Sequence, residues 1–388
     1  MRVMQLAVAL VVALGTSNAW SAPPRLTIAA PGDLGLDAAK LQQIDTIVAQ
    51  GLANKQMPGC VVLVGHQGKI AWLKAYGDKR LEPQREAMTT DTVFDLASLT
   101  KPIATATSAM KLTEDGKIKL AEQAATYLPE FGTRGKEKIT VEQLFTHQGG
   151  LIADNALSDY LDGPEKAWER IFALKLASEP GTKFVYSDVS FEVLGKIVER
   201  VSGQNLNEFS RDKLFAPLGM TETAYLPSEK LKARAAPTQQ RNEQWMQGEV
   251  HDPRAYHLGG VAGHAGLFST AEDLAVYAQM LLNRGEYGGV RVLKAETVDA
   301  MFTAREVAGG GRRALGWDVR TGFSSNRGQG LSDRAVGHGG FTGTVLWIDP
   351  ELDLFYIFLS NRVHPNGKGN VNKLAGEIGT AVAGSLVK

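Results

Sequence analysis

One cysteine in 388 residues leaves no partner for an internal disulfide, so the fold has to be held by packing alone. Cys60 lies within Gly59-Cys60-Val61-Val62-Leu63-Val64, an apolar strand-like run, and reads as a small core residue rather than a nucleophile. Charge of one sign is also missing. The 42 Lys and Arg balance 42 Asp and Glu with no block of like charge, which excludes the electrostatic footprint of a nucleic-acid binder. There is no repeat, low-complexity tract or flexible linker, and no stretch after the first residues is long and apolar enough to span a bilayer. His251, Asp252, His257 and His264 crowd a short Gly-rich segment, but their spacing matches no compact ligand motif. Neither a metal nor a cofactor is expected, and the expected partner is a small molecule.

The N-terminus has the features of a secretion signal: Met1-Arg2 supplies the positive end, Leu6 to Leu14 the apolar run, and Ser17 and Ala19 the small residues. Cleavage is expected after Ala19, since cleavage after Ala22 would put bulky Trp20 at a recognition position. The mature chain is then expected to be secreted or periplasmic, with no membrane span left.

The remainder reads as one unit. Asp37 can cap a helix carrying Leu41, Ile44, Ile47, Val48 and Leu52, which Met57-Pro58-Gly59 ends. Strands at Cys60 to Gly65 and Lys69 to Tyr76 meet around Gln67-Gly68, a hairpin signal. Two more, Thr344 to Ile348 and Leu354 to Leu359, precede a helix from about Val371 to Leu386. Between these ends, the segment from Glu114 to about Gly289 is mostly helical pieces broken by Gly- and Pro-rich loops. The expected fold class is α/β (α+β): 23–113 and 290–388 form an antiparallel sheet with flanking helices, and 114–289 is a helical insertion.

Chemistry concentrates at Ser98-Leu99-Thr100-Lys101. An extended segment ends at Ala97, and Ile103 to Leu112 reads as a buried helix, which puts Ser98 at a helix start with Lys101 one turn on. A hydroxyl beside an amine on one face is the core of a serine acyl-transfer site, the amine becoming a base if desolvation leaves it neutral. Two later segments join it. Pro180 to Asp188 delivers Tyr186-Ser187-Asp188 from a turn, and Val336-Gly337-His338-Gly339-Gly340-Phe341 is a glycine-rich strand whose backbone is open to close approach.

Ser-x-x-Lys, Tyr-Ser-Asp and His-Gly-Gly in this order resemble the serine β-lactamase and penicillin-binding protein superfamily, in the variant typical of the class C-like branch. The phrases Leu144 to Leu151, Pro217-Leu218-Gly219-Met220, Gly266 to Thr270 and Ala314-Leu315-Gly316-Trp317 carry the resemblance along the chain. Val250-His251-Asp252, Leu258 to Thr270 and Asn361-Arg362-Val363-His364-Pro365 are similar to the subgroup holding penicillin-binding protein 4B and exo-acting muramoyl-alanine amidases.

The resemblance implies a β-lactamase/transpeptidase-like fold with the active site in the groove between sheet and helical region. It makes Ser98 the nucleophile, with Lys101 and Tyr186 sharing proton transfer and the base not assigned to either. The backbone N–H groups of Ser98 and Phe341 form the oxyanion hole, and Asp188, His338, Gly339, Gly340, His251, His264 and His364 are candidates for substrate contact. His364 could equally end a strand, and His147 and Trp317 are expected to be structural or groove-lining. Asp188 stands where β-lactamases of this branch have Asn, and His338 where they have a lysine that holds the β-lactam carboxylate. Both departures weaken the β-lactamase reading and are more at home in the esterase, DD-peptidase and amidase relatives; the leading expectation is hydrolysis of an amide or ester in peptidoglycan fragments, of carboxypeptidase or amidase type. The alternatives are an esterase, a weak β-lactamase, or a catalytically silent wall-fragment binder.

Overall fold

A computed structural model describes residues 23–387, and the expected signal segment lies outside them. The main sheet has nine strands: β1 Gly59–His66, β2 Lys69–Arg80, β3 Glu86–Ala87, β4 Arg305–Glu306, β5 Arg312–Arg313, β6 Asp318–Arg320, β7 Val336–Gly340, β8 Thr344–Asp349 and β9 Leu354–Ser360. Their order across the sheet is β4-β5-β6-β7-β8-β9-β1-β2-β3, with each neighbouring pair antiparallel. Residues near the two ends of the chain thus meet in mid-sheet, where Cys60 pairs with Ser360 and Val64 with Tyr356.

The β1–β2 hairpin turns where expected. Gln67 and Gly68 both have positive φ, 51° and 73°, as a tight right-twisted hairpin turn requires. Every residue of β1 is buried because the sheet is covered on both faces. Val61 and Leu63 point to one core with Phe355, Ile357 and Leu359; Cys60, Val62 and Val64 point to the other with Leu354, Tyr356 and Phe358. Cys60 is fully buried, and that burial pushes its thiol well above the ordinary range, so it is core as expected.

Helices α1 Gln43–Ala53 and α2 Asn372–Gly384 cover one face. Asp37 does cap, but it caps a separate short helix, Ala38–Leu41, accepting from Ala39 N at 2.9 Å. The other face packs against the central part of the chain, where α3 Thr107–Glu114, α4 Asp188–Ser202 and α5 Ala271–Leu282 contribute buried apolar residues to one core. No helix among the described residues is long and apolar enough to cross a membrane.

Candidate active site

The segment around Ser98 differs from the uniform helix expected. Ala97–Leu99 is a 3-10 turn, Lys101–Ala106 is wound as a wide π-type turn, and regular α-helix begins only at Thr107. Pro102 near the start removes a backbone donor from the first turn, and π-type turns recur at functional sites. Ala97 has a φ of 45°, an uncommon conformation for a residue with a side chain. Asp95 stabilises that turn: Oδ1 accepts from Ala97 N at 2.8 Å and Oδ2 from His251 N at 2.7 Å. Burial pushes the Asp95 carboxyl up to about 6, against those two amide donors.

Lys101 is wholly buried, donating hydrogen bonds to two oxygens and ion-paired with a third. Nζ lies 3.0 Å from Ser98 Oγ, 3.1 Å from the His264 carbonyl and 2.6 Å from Asp188 Oδ1. Burial opposes its charge, but the Asp188 carboxylate and, after it, Tyr186 outweigh that and hold Lys101 above its ordinary range. With an anion at 188 the pairing favours the ammonium form of Lys101, which donates toward Ser98.

Asp188 opens helix α4, whose N-cap is Ser187, with Oγ accepting from Ser190 N at 3.1 Å. Tyr186 lies just before it, its ring centroid 5.0 Å from Lys101 Nζ. His147 supports this tyrosine, stacking at 4.6 Å while its Nδ1 accepts from Ser187 N at 3.0 Å. Since Nδ1 accepts and burial depresses its pKa well below the usual value, His147 is neutral and structural. Trp317 is fully buried as well.

The glycine strand is drawn to the nucleophile by two hydroxyls. Thr342 Oγ1 donates to Asp95 O at 2.7 Å, and Thr344 Oγ1 donates to Leu96 O at 2.9 Å. A Cβ at Gly340 would stand 2.3 Å from Leu96 O and 2.2 Å from Thr344 Oγ1, so only glycine permits this approach. Phe341 follows directly, its ring exposed and stacked on His251 at 5.5 Å. His338 Nδ1 donates to Gly339 O at 2.7 Å, and burial drives its pKa well below the usual value. It is therefore a neutral imidazole with an unprotonated Nε2, not a substitute cation.

Ser98, Tyr186, His338, Gly339, Gly340 and Phe341 border one cleft of about 400 Å³, together with Arg313 and Arg362. The other candidates for substrate contact do not border it. His264 is 1% exposed and sits behind Lys101, with Nε2 3.0 Å from Asp252 and Nδ1 3.5 Å from Glu192. Burial would discharge His264, but Asp252, Asp188 and Glu192 outweigh it and lift its pKa to about 9. Glu192, which accepts from Tyr160 Oη at 2.8 Å, is pushed up to about 7 by burial. His251 holds Gln239 at 2.7 Å, and burial lowers it to about 4. His364 is fixed between Leu81 N at 2.9 Å and Thr238 O at 3.0 Å, facing a separate cavity.

Ligand atoms of Asp188, Asp252 and His264 lie within 4.8 Å of one another, a possible cation site. Lys101 and the protonated His264 already supply positive charge to these carboxylates. Sequence reasoning missed Asp95, Thr342, Thr344, Glu192 and Arg313. Only Asp95 carried a local signal, being a carboxylate just before the nucleophile turn.

Comparison with known proteins shows what the chain is similar to. The Beta-lactamase family model matches residues 44–379. The chain is 36% identical over 363 residues to the N-acetylmuramyl-L-alanine amidase of Bacillus subtilis (strain 168), covering 84% of this chain and 81% of that protein. It is 34% identical over 380 residues to an Escherichia coli (strain K12) protein named "Putative D-alanyl-D-alanine carboxypeptidase", covering 88% and 86%. Among solved structures, a class C beta-lactamase superposes with a TM-score of 0.73 at 19% identity, covering 90% of this chain and 97% of that one, a likeness of fold.

Proposed function

The chain belongs to the Beta-lactamase family, and we propose that it is an exported serine hydrolase that cleaves an amide of peptidoglycan fragments through a Ser98 acyl-enzyme. The observation that carries this reading is the 3.0 Å contact of Lys101 Nζ with Ser98 Oγ at the edge of an open cleft. As Ser98 Oγ attacks the carbonyl, its proton passes to the Lys101–Tyr186 pair, which in its reactive form holds one proton fewer than an ammonium and a phenol together and so has one basic site to receive it. Lys101 stabilises the developing charge on Oγ, and the amides of Ser98 and Phe341 hold the oxyanion. The pair then returns the proton to the leaving amine, and water releases the acyl group by the reverse sequence.

The names of the two relatives supply the substrate class: the lactyl–alanine amide of a muramoyl peptide, or a terminal D-alanyl-D-alanine bond. The signal-like N-terminus supports export, where such fragments occur. A neutral His338 removes the cation that would hold a β-lactam carboxylate, which weighs against β-lactamase activity. The test is to incubate the purified protein with muramoyl pentapeptides and to read products by mass. Release of intact peptide identifies an amidase, and release of D-alanine a carboxypeptidase. Turnover of short-chain esters alone, with muropeptides untouched, would replace this reading with an esterase.

A further inference from the structure

We propose that Arg313 is an anchor for a carboxylate of the substrate inside the Ser98 cleft, an inference that rests on the acyl-transfer reading above. Neighbouring residues of a strand point to opposite faces, and the two arginines of β5 are used in opposite ways. Arg312 faces outward and pairs with Asp333 at 3.2 Å. Arg313 faces inward, is fully buried, and none of its three guanidinium nitrogens makes a hydrogen bond.

The nearest carboxylate offsets its charge but leaves its hydrogen-bond donors unsatisfied. Asp318 Oδ1 lies 3.8 Å from Nη1, outside hydrogen-bond reach, and its two oxygens already accept from Thr321 Oγ1 at 2.9 Å and Ser324 Oγ at 2.7 Å. Aromatic packing is equally loose, with the guanidinium carbon 5.8 Å from the Phe184 ring centroid. A buried guanidinium with five unsatisfied donors is costly in the free protein. That cost is recovered when a planar anion accepts two parallel N–H bonds, and a carboxylate is the group whose geometry fits the fork.

Position connects this cation to the chemistry. Arg313 borders the same cleft as Ser98, Tyr186 and His338. His338 cannot take the role, because its neutral ring presents a lone pair at Nε2. Arg362, the other arginine at the cleft, already donates to Gly369 O at 2.7 Å and lies 4.4 Å over the Phe341 ring. Arg313 is the buried cation at the cleft whose donors are all free.

The competing role is electrostatic support of Tyr186, which borders the same cleft. The two differ in what they discriminate. Three chromogenic or fluorogenic esters separate them: a phenyl ester, its 3-carboxyphenyl analogue with the carboxylate on the leaving group, and a glutarate half-ester with it on the acyl side. The wild type should favour one of the charged esters over the phenyl ester by about tenfold or more in kcat/KM, and Arg313→Gln should collapse that ratio to near one. No preference in the wild type, or a common loss on all three esters in Arg313→Gln, overturns the proposal.

A binding arm needs no turnover. Benzoate should raise the melting temperature of the wild type more than benzamide does, and Arg313→Met should abolish the difference while melting no lower than the wild type. A benzoate effect that survives in Arg313→Met, or a variant that unfolds, contradicts an anchor and marks Arg313 as structural. Should Ser98 not be the nucleophile, the esters fail together and the proposed function falls, while the benzoate comparison still decides the role of Arg313.

Discussion

Asp188 Oδ1 and Lys101 Nζ form a buried ion pair at 2.6 Å directly behind the nucleophile. Removing one partner of such a pair strands the other, so the two residues act as a unit. The carboxylate at 188 sets the protonation state of the lysine that touches Ser98.

Asp188→Asn should therefore move the alkaline limb of the kcat/KM profile to lower pH. Burial lowers the pKa of Lys101 while Asp188, and after it Tyr186, raise it, so a neutral amide at 188 removes the larger of the two opposing contributions. A pH–rate profile of the two proteins with one ester checks it. An unchanged alkaline limb would mean that Lys101 does not need its charge.

His264 supplies a stability test. Its folded pKa of about 9 lies above the unfolded value of about 6.5. A raised histidine contributes stability fully present below about pH 6.5 and lost as pH rises through about 9. Glu192, raised to about 7, adds a loss between its unfolded value and neutrality, in the same direction. The wild type should lose stability between pH 6.5 and 9 by denaturant titration, and His264→Gln should flatten that slope. A slope that persists in the variant would place the titration elsewhere.

Gly340→Ala should cut kcat/KM by about a hundredfold, the scale of an ångström-sized misplacement of the oxyanion strand. The new Cβ would meet Leu96 O at 2.3 Å, whereas a Cβ at Gly32 meets nothing within 4 Å. Gly32→Ala is the control, expected to match the wild type. Equal activity in the two variants would show that the approach of β7 to Leu96 is not needed.

Much of this was legible in the sequence where the signal is local. The Gln67-Gly68 turn, the strand runs on either side, and Ser98 with Lys101 one turn on all follow from neighbouring residues. The π-type turn was not legible, because the apolar pattern from Ile103 to Leu112 suits either winding and Pro102 alone signals trouble. The contacts that assemble the site are long-range: Thr342 meets Asp95, and Thr344 meets Leu96, across most of the chain. His264, in a glycine-rich loop, was expected to contact the substrate. The glycines serve another purpose: a Cβ at Gly263 would lie 1.9 Å from Phe191 O, so the loop packs flat on α4 and His264 is carried behind Lys101.

The central claim is that Ser98 becomes acylated. Intact mass after brief incubation with a slow acylating probe, a fluorophosphonate or a poorly hydrolysed ester, should show one adduct per chain, and peptide mapping should place it on Ser98. Ser98→Ala should take no adduct and lose all turnover. An adduct on another residue, or turnover undiminished in Ser98→Ala, would contradict the account.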